Sequence, residues 1–139
     1  MAQQVRDVMT AEPVTVGPTT PVLEVAKTMA ERDIGEVLVG ESDRLCGLVT
    51  DRDIVVRGIA QGRDPKTTTI DDICSHDLIT LTPDDTVDAA FRKMSEHAVR
   101  RLPVLDAGHP IGVVSLCDIS MFHDSGEALD EISAAPPDS

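Results

Sequence analysis

Apolar positions along the chain follow two periods, and both patterns occur twice. Val22, Val25, Ala26 and Met29 stand at i, i+3, i+4 and i+7, the spacing of one helix face. Val87, Ala90, Phe91 and Met94 repeat that spacing 65 residues on. Short apolar runs surround each helix. Residues 14–16 and 79–81 precede it, and 36–39 with 45–49, or 101–105 with 111–114, follow it. These runs are bounded by turn formers such as "GESDR" and "DAGHP" and read as strands. A helical turn at 5–9 or 70–74 leads each set, and a last helix starts near Asp51 or Leu116. The predicted order is β-α-β-β-α, twice, a mixed α/β (α+β) fold.

The two sets are one pattern written twice. Residues 5–54 overlay 70–119 without a gap, with identities that include Asp7/Asp72, Thr15/Thr80, Pro18/Pro83 and Met29/Met94. Others are Val39/Val104, Gly47/Gly112, Asp53/Asp118 and Ile54/Ile119. A repeat of this length is the organising feature of a chain. A unit of about 50 residues buries too little to stand alone, so the two are expected to pack sheet against sheet. The expected organisation is a first repeat at 5–60, a linker at 61–69, a second repeat at 70–123 and an acidic, partly disordered tail at 124–139. The stretch "GIAQGRDPKTTT" around the linker is rich in Gly, Pro and Thr.

Composition narrows the function. With two Phe and neither Trp nor Tyr, the core is aliphatic and offers no aromatic platform for single-stranded nucleic acid. The formal charge of −13, from 25 acidic against 12 basic residues, opposes phosphate-backbone binding. Three cysteines without CxxC spacing imply neither a disulfide framework nor a zinc ribbon. No long apolar span or signal-peptide core is present, so the expectation is a soluble cytoplasmic protein with no membrane partner. The four histidines make no HxH, HExxH or Cys/His ligand spacing, so no metal site is expected. No nucleophile–base–orienter set is visible, so the chain reads as a non-enzyme without catalytic residues.

The chemistry lies in a doubled motif, "GLVTDRD" and "GVVSLCD". Thr50 or Ser115 stands where a strand ends and a helix begins, with Asp53 or Asp118 three residues on. One reading is structural: [ST]-x-x-[DE] is a capping box, worth about 1 kcal/mol, and Gly47 and Gly112 merely permit close backbone approach. The other is functional. A helix N-terminus binds anions, the hydroxyl adds a bond to a phosphate oxygen, the aspartate accepts from ribose hydroxyls, and the glycine leaves room for a ligand.

This arrangement resembles the cystathionine beta-synthase (CBS) domain, two of which pair into a Bateman module. The resemblance spans about residues 5–123 and is carried by "VMTAEPVTV", "RDIGEVLVG" and "GLVTDRDI", then "ICSHDLITL", "HAVRRLPVLD" and "GVVSLCDI". It implies a pseudo-twofold module with two clefts for AMP, ADP, ATP or S-adenosylmethionine, in a homodimer that signals to an unidentified effector. Asp53 and Asp118 would hold ribose, and Thr50 and Ser115 phosphate. Thr15, Thr80, Ile34, Gly35, Val37, Val99, Arg100 and Leu102 would line the base pockets, and Arg100 with Arg101 would balance phosphate charge. Glu36 stands where the second repeat has Arg101, so the two clefts are expected to be unequal. The alternative is a ligand-free scaffold dimer of the same fold.

Overall fold

The computed structural model describes residues 3–42 and 44–120. The end of the predicted second repeat and the acidic tail lie outside these residues. Eleven labelled elements follow in chain order. They are α1 (Val5–Val8), β1 (Thr10–Ala11), β2 (Thr15–Val16), α2 (Val22–Arg32), β3 (Glu36–Glu41) and β4 (Arg44–Thr50). Then come α3 (Asp51–Asp53), α4 (Val87–His97), β5 (Arg101–Asp106), β6 (His109–Ser115) and α5 (Leu116–Ser120). After α3 the chain makes a π turn (Ile54–Gly58) and a 3-10 turn (Ile59–Gln61), and a further 3-10 turn spans Ile70–Asp72.

The chain divides into two compact units that do not coincide with the two sequence repeats. Among the described residues, one unit spans 13–78 and the other joins 3–12 to 79–120. The first holds the sheet β2-β3-β4, with β2 parallel to β3 and β3 antiparallel to β4. The second holds β1-β6-β5, antiparallel throughout. Each repeat therefore gives its lead segment to the unit built from the other repeat.

The two exchanges match bond for bond. In one unit Val5 N–H donates to Asp85 O (2.7 Å) and Arg6 N–H to Pro83 O (3.2 Å). In the other, Ile70 N–H donates to Thr20 O (2.8 Å) and Asp71 N–H to Pro18 O (3.1 Å). The segments also cap the long helices. The first N–H of α4 donates to Gln3 O (2.9 Å) and the first of α2 to Thr68 O (2.9 Å). Leu23 N–H finds Pro65 O at 2.9 Å. The predicted linker thus satisfies helix-end donors that Pro21, which makes no side-chain cap, leaves open. In α4 the Thr86 hydroxyl adds a cap, accepting from Ala89 N–H at 3.0 Å.

This exchange explains the repeated glycine. A methyl group on Gly47 would lie 2.7 Å from Cys74 Sγ and 2.9 Å from Ser75 O. One on Gly112 would lie 2.6 Å from Met9 Sδ and 2.9 Å from Thr10 O. The lead segment of the other repeat occupies that space in each case, so the glycines serve backbone approach rather than a ligand.

The helix faces are as the periodicity predicts: Val22, Val25 and Met29 are buried in α2, and Val87, Ala90 and Met94 in α4. Among the described residues, buried side chains form a cluster in each unit. Lead-segment residues Val5 and Val8 complete one cluster, and Ile70, Ile73 and Cys74 the other. The predicted strand at 79–81 shortens to a single bridge, Leu81 with Val104. Pro103 explains it: it stands where Leu38 of the other repeat donates its N–H to Val14 O at 2.9 Å, and proline has no N–H to give residue 79. Among the described residues no helix is long and apolar enough to cross a membrane.

Candidate functional site

The doubled motif forms two strand–helix corners. At the end of β4, Thr50 Oγ1 accepts from Asp53 N–H (3.1 Å) while Thr50 N–H donates to Asp53 Oδ2 (2.8 Å). At the end of β6, Ser115 Oγ accepts from Asp118 N–H (3.1 Å) and Ser115 N–H donates to Asp118 Oδ2 (2.9 Å). Both are complete capping boxes, so the structural reading of the motif holds in each repeat. Each box uses one carboxylate oxygen and leaves Oδ1 outside it. An ionised carboxylate oxygen can accept two hydrogen bonds, so a ligand diol remains chemically compatible with the cap.

The corners differ in burial. Thr50 and Asp53 are buried, and Asp53 is 0% exposed. Its Oδ1 has no hydrogen-bond partner among the described residues. Arg57 Nε stands 3.8 Å from it, within reach of a charge but beyond a hydrogen bond. Arg57, at i+4 from Asp53, is a site neighbour missing from the sequence reading, although that spacing on a helical segment announces the pair. Ser115 and Asp118 are only half-buried.

Strand register decides what faces each hydroxyl. Glu36 pairs with Thr50, and Arg101 pairs with Ser115. The residue just before β3 or β5 is tied to its corner by one bond: Asp51 N–H to Gly35 O (3.0 Å), and Leu116 N–H to Arg100 O (2.8 Å). Ile34, Gly35 and Glu36 therefore gather at the first corner, and Val99, Arg100 and Arg101 at the second. Thr15 is exposed on β2, in register with Leu38, and Thr80 is half-buried with its carbonyl on Lys93. Val37 and Leu102, at 1% and 2% exposure, have their side chains in the core clusters of the two units. An unbroken apolar run such as "VLV" hides this, because it cannot tell the two faces of a strand apart.

A second cluster escaped the histidine and cysteine spacing rules. Asp71, Cys74 and His76 bring their donor atoms within 4.8 Å of one another. Burial, and then the Asp71 carboxylate, push the Cys74 thiol up to about 11. The run D-x-x-C-x-H was the available signal.

Comparison with known proteins places these features in context. The CBS domain family model matches residues 5–58 and again 70–122. The CBS domain-containing protein YhcV of Bacillus subtilis is 36% identical over 89% of this chain and 88% of its own. Hypoxic response protein 1 of Mycobacterium tuberculosis is 36% identical over 83% of this chain and 81% of its own. Its crystal structure, with two coordinated zinc ions, superposes with a TM-score of 0.76 at 34% identity, covering 87% of this chain and 99% of that one. The CBS domain pair of protein MJ0100, in complex with 5-methylthioadenosine and S-adenosyl-L-methionine, gives a TM-score of 0.80 at 27% identity. That match covers 88% of this chain and 96% of the other. With its doubled motif, its paired capping boxes and two family matches that together span most of its length, the chain belongs to the CBS domain family as a tandem CBS pair of the Bateman type.

Proposed function

We propose that the chain is a regulatory module that binds adenosine-type nucleotides, AMP, ADP, ATP or S-adenosylmethionine, at the second corner. It acts as a binding module rather than an enzyme, and passes occupancy to a partner protein. One observation carries this: Arg101 stands across from Ser115 in the register where the first repeat places Glu36 across from Thr50. A guanidinium beside a hydroxyl suits a phosphate, whereas a carboxylate there repels one. Ser115 then contacts phosphate and half-buried Asp118 accepts from the ribose diol, with Arg100 nearby. The adenosine-type ligands of the MJ0100 pair support the ligand class. Three free cysteines suit a cytoplasmic setting. The test is calorimetry of the full-length protein with each of the four ligands, and the phosphate-bearing ones are expected to bind more tightly than S-adenosylmethionine.

The first corner favours the second reading, a scaffold role. Its aspartate is fully buried, and Thr50 pairs in register with Glu36 rather than with an arginine. The residues just after it are apolar and exposed: Val55 at 58%, Val56 at 37% and Ile59 at 55%. Water contact there is costly enough that a second copy of the chain is the natural cover. Light scattering is expected to give twice the 14.9 kDa chain mass, and Ile59→Glu to return the monomer mass. A wild type that runs as a monomer at micromolar concentration refutes the dimer.

A further inference from the structure

The turn that opens the second repeat carries a cluster the two corners do not use. His76 Nε2 lies 2.9 Å from Asp71 Oδ1 and 3.4 Å from Cys74 Sγ. All three donor atoms fall within 4.8 Å of one another. A tetrahedral zinc ion, with bonds near 2.0–2.1 Å to nitrogen or oxygen and 2.3 Å to sulfur, spaces its ligand atoms about 3.3–3.6 Å apart. The two close pairs therefore need adjustments of about half an ångström or less to admit such an ion.

The backbone already holds the three residues in place. Ile73 N–H and Cys74 N–H both donate to Ile70 O, at 3.1 and 3.0 Å. Ser75, between Cys74 and His76, exchanges both ladder bonds with Leu48, at 3.0 and 2.9 Å. Cys74 is buried against Gly47, while Asp71 and His76 are exposed, so an ion can reach the cluster from solvent. The fold itself does not require this chemistry. The same turn in the other unit carries Arg6, Met9 and Ala11 at the matching positions, and Met9 packs on Gly112 as Cys74 packs on Gly47.

We propose that Asp71, Cys74 and His76 form a binding site for a divalent cation of the zinc class. One sulfur, one imidazole and one carboxylate select such an ion over magnesium or calcium. The fourth position is left to water. The ion replaces the direct Asp71–His76 contact, and Cys74 binds as the thiolate. A coordinating thiol is deprotonated outright by the ion's charge, and its proton passes to solvent. Once bound, the ion ties the Ile70–Asp72 turn to the Cys74–His76 stretch that follows it.

Cobalt(II) titration of the tag-free full-length protein tests this. A thiolate-to-cobalt charge-transfer band should appear, saturate at about one ion per chain and be abolished by zinc. Cys74→Ser should remove the band, while Cys46→Ser and Cys117→Ser keep it. Asp71→Asn and His76→Ala change exposed side chains, so they remain informative even if Cys74→Ser folds poorly. Each should weaken zinc binding about tenfold or more, and His109→Ala should not. No band, a band that survives Cys74→Ser, or zinc affinity unchanged in Asp71→Asn and His76→Ala would each overturn the site.

Discussion

Gly47→Ala is expected to lower the stability of the fold by about 1–3 kcal/mol, the usual cost of forcing extra atoms into a packed interior. The added methyl group meets two obstacles of different stiffness. Cys74 Sγ, at 2.7 Å, belongs to a side chain that can turn. Ser75 O, at 2.9 Å, is backbone and is already engaged, accepting from Leu48 N–H at 3.0 Å. Relief therefore means loosening the bridge that holds the lead segment of the second repeat against β4. Gly112→Ala should cost a similar amount, since Thr10 O lies 2.9 Å away and only the Met9 thioether can yield. Gly17→Ala is the control: nothing lies within 4 Å of its added methyl group. Urea denaturation measures all three. Adding Cys74→Ala to Gly47→Ala should recover part of the loss, and a double-mutant cycle isolates that coupling. A Gly47→Ala protein as stable as the Gly17→Ala control would mean that the exchanged segment does not press on β4.

Elements and packing differ in how far the sequence discloses them. The long helices and hairpins are local patterns, so the periods at 22–29 and 87–94 locate α2 and α4 directly. Capping boxes are also local, three residues across, and both form as written. The exchange of lead segments is not local. Thr10 pairs with Val113, and Ser75 with Leu48. An internal overlay reports that two segments are alike without saying which one each packs against. The glycine's purpose follows from that exchange and was undecidable without it. The linker had the same difficulty: its Gly, Pro and Thr content reads as loop, and nothing in it announces that Pro65 and Thr68 carbonyls cap α2. At the corners, the residue types were legible and their burial was not. Asp53 and Asp118 occupy the same motif position, yet one is fully buried and the other half-exposed.

That inequality yields the sharpest test of ligand binding. Asp118→Ala is expected to weaken nucleotide affinity by about 1–3 kcal/mol, or roughly 5- to 150-fold, because the ligand's ribose hydroxyls lose their acceptor. Asp53→Ala is expected to leave affinity unchanged and to lower stability by about 1 kcal/mol through loss of the cap. Its loss is limited at that level because the substitution also removes Oδ1, a buried oxygen without a hydrogen-bond partner. Asp118→Ala breaks the equivalent cap, so its stability must be measured beside its affinity. Arg101→Glu writes the Glu36 arrangement of the first corner into the second. It should abolish binding of AMP, ADP and ATP while weakening S-adenosylmethionine less, since that ligand carries no phosphate. Calorimetry on wild type and the three variants, with urea denaturation of each, separates the outcomes. Equal losses in Asp53→Ala and Asp118→Ala would place ribose at both corners and refute the assignment to the second alone. A wild type that binds none of the four ligands at millimolar concentration would leave the capping boxes purely structural and make the chain a scaffold.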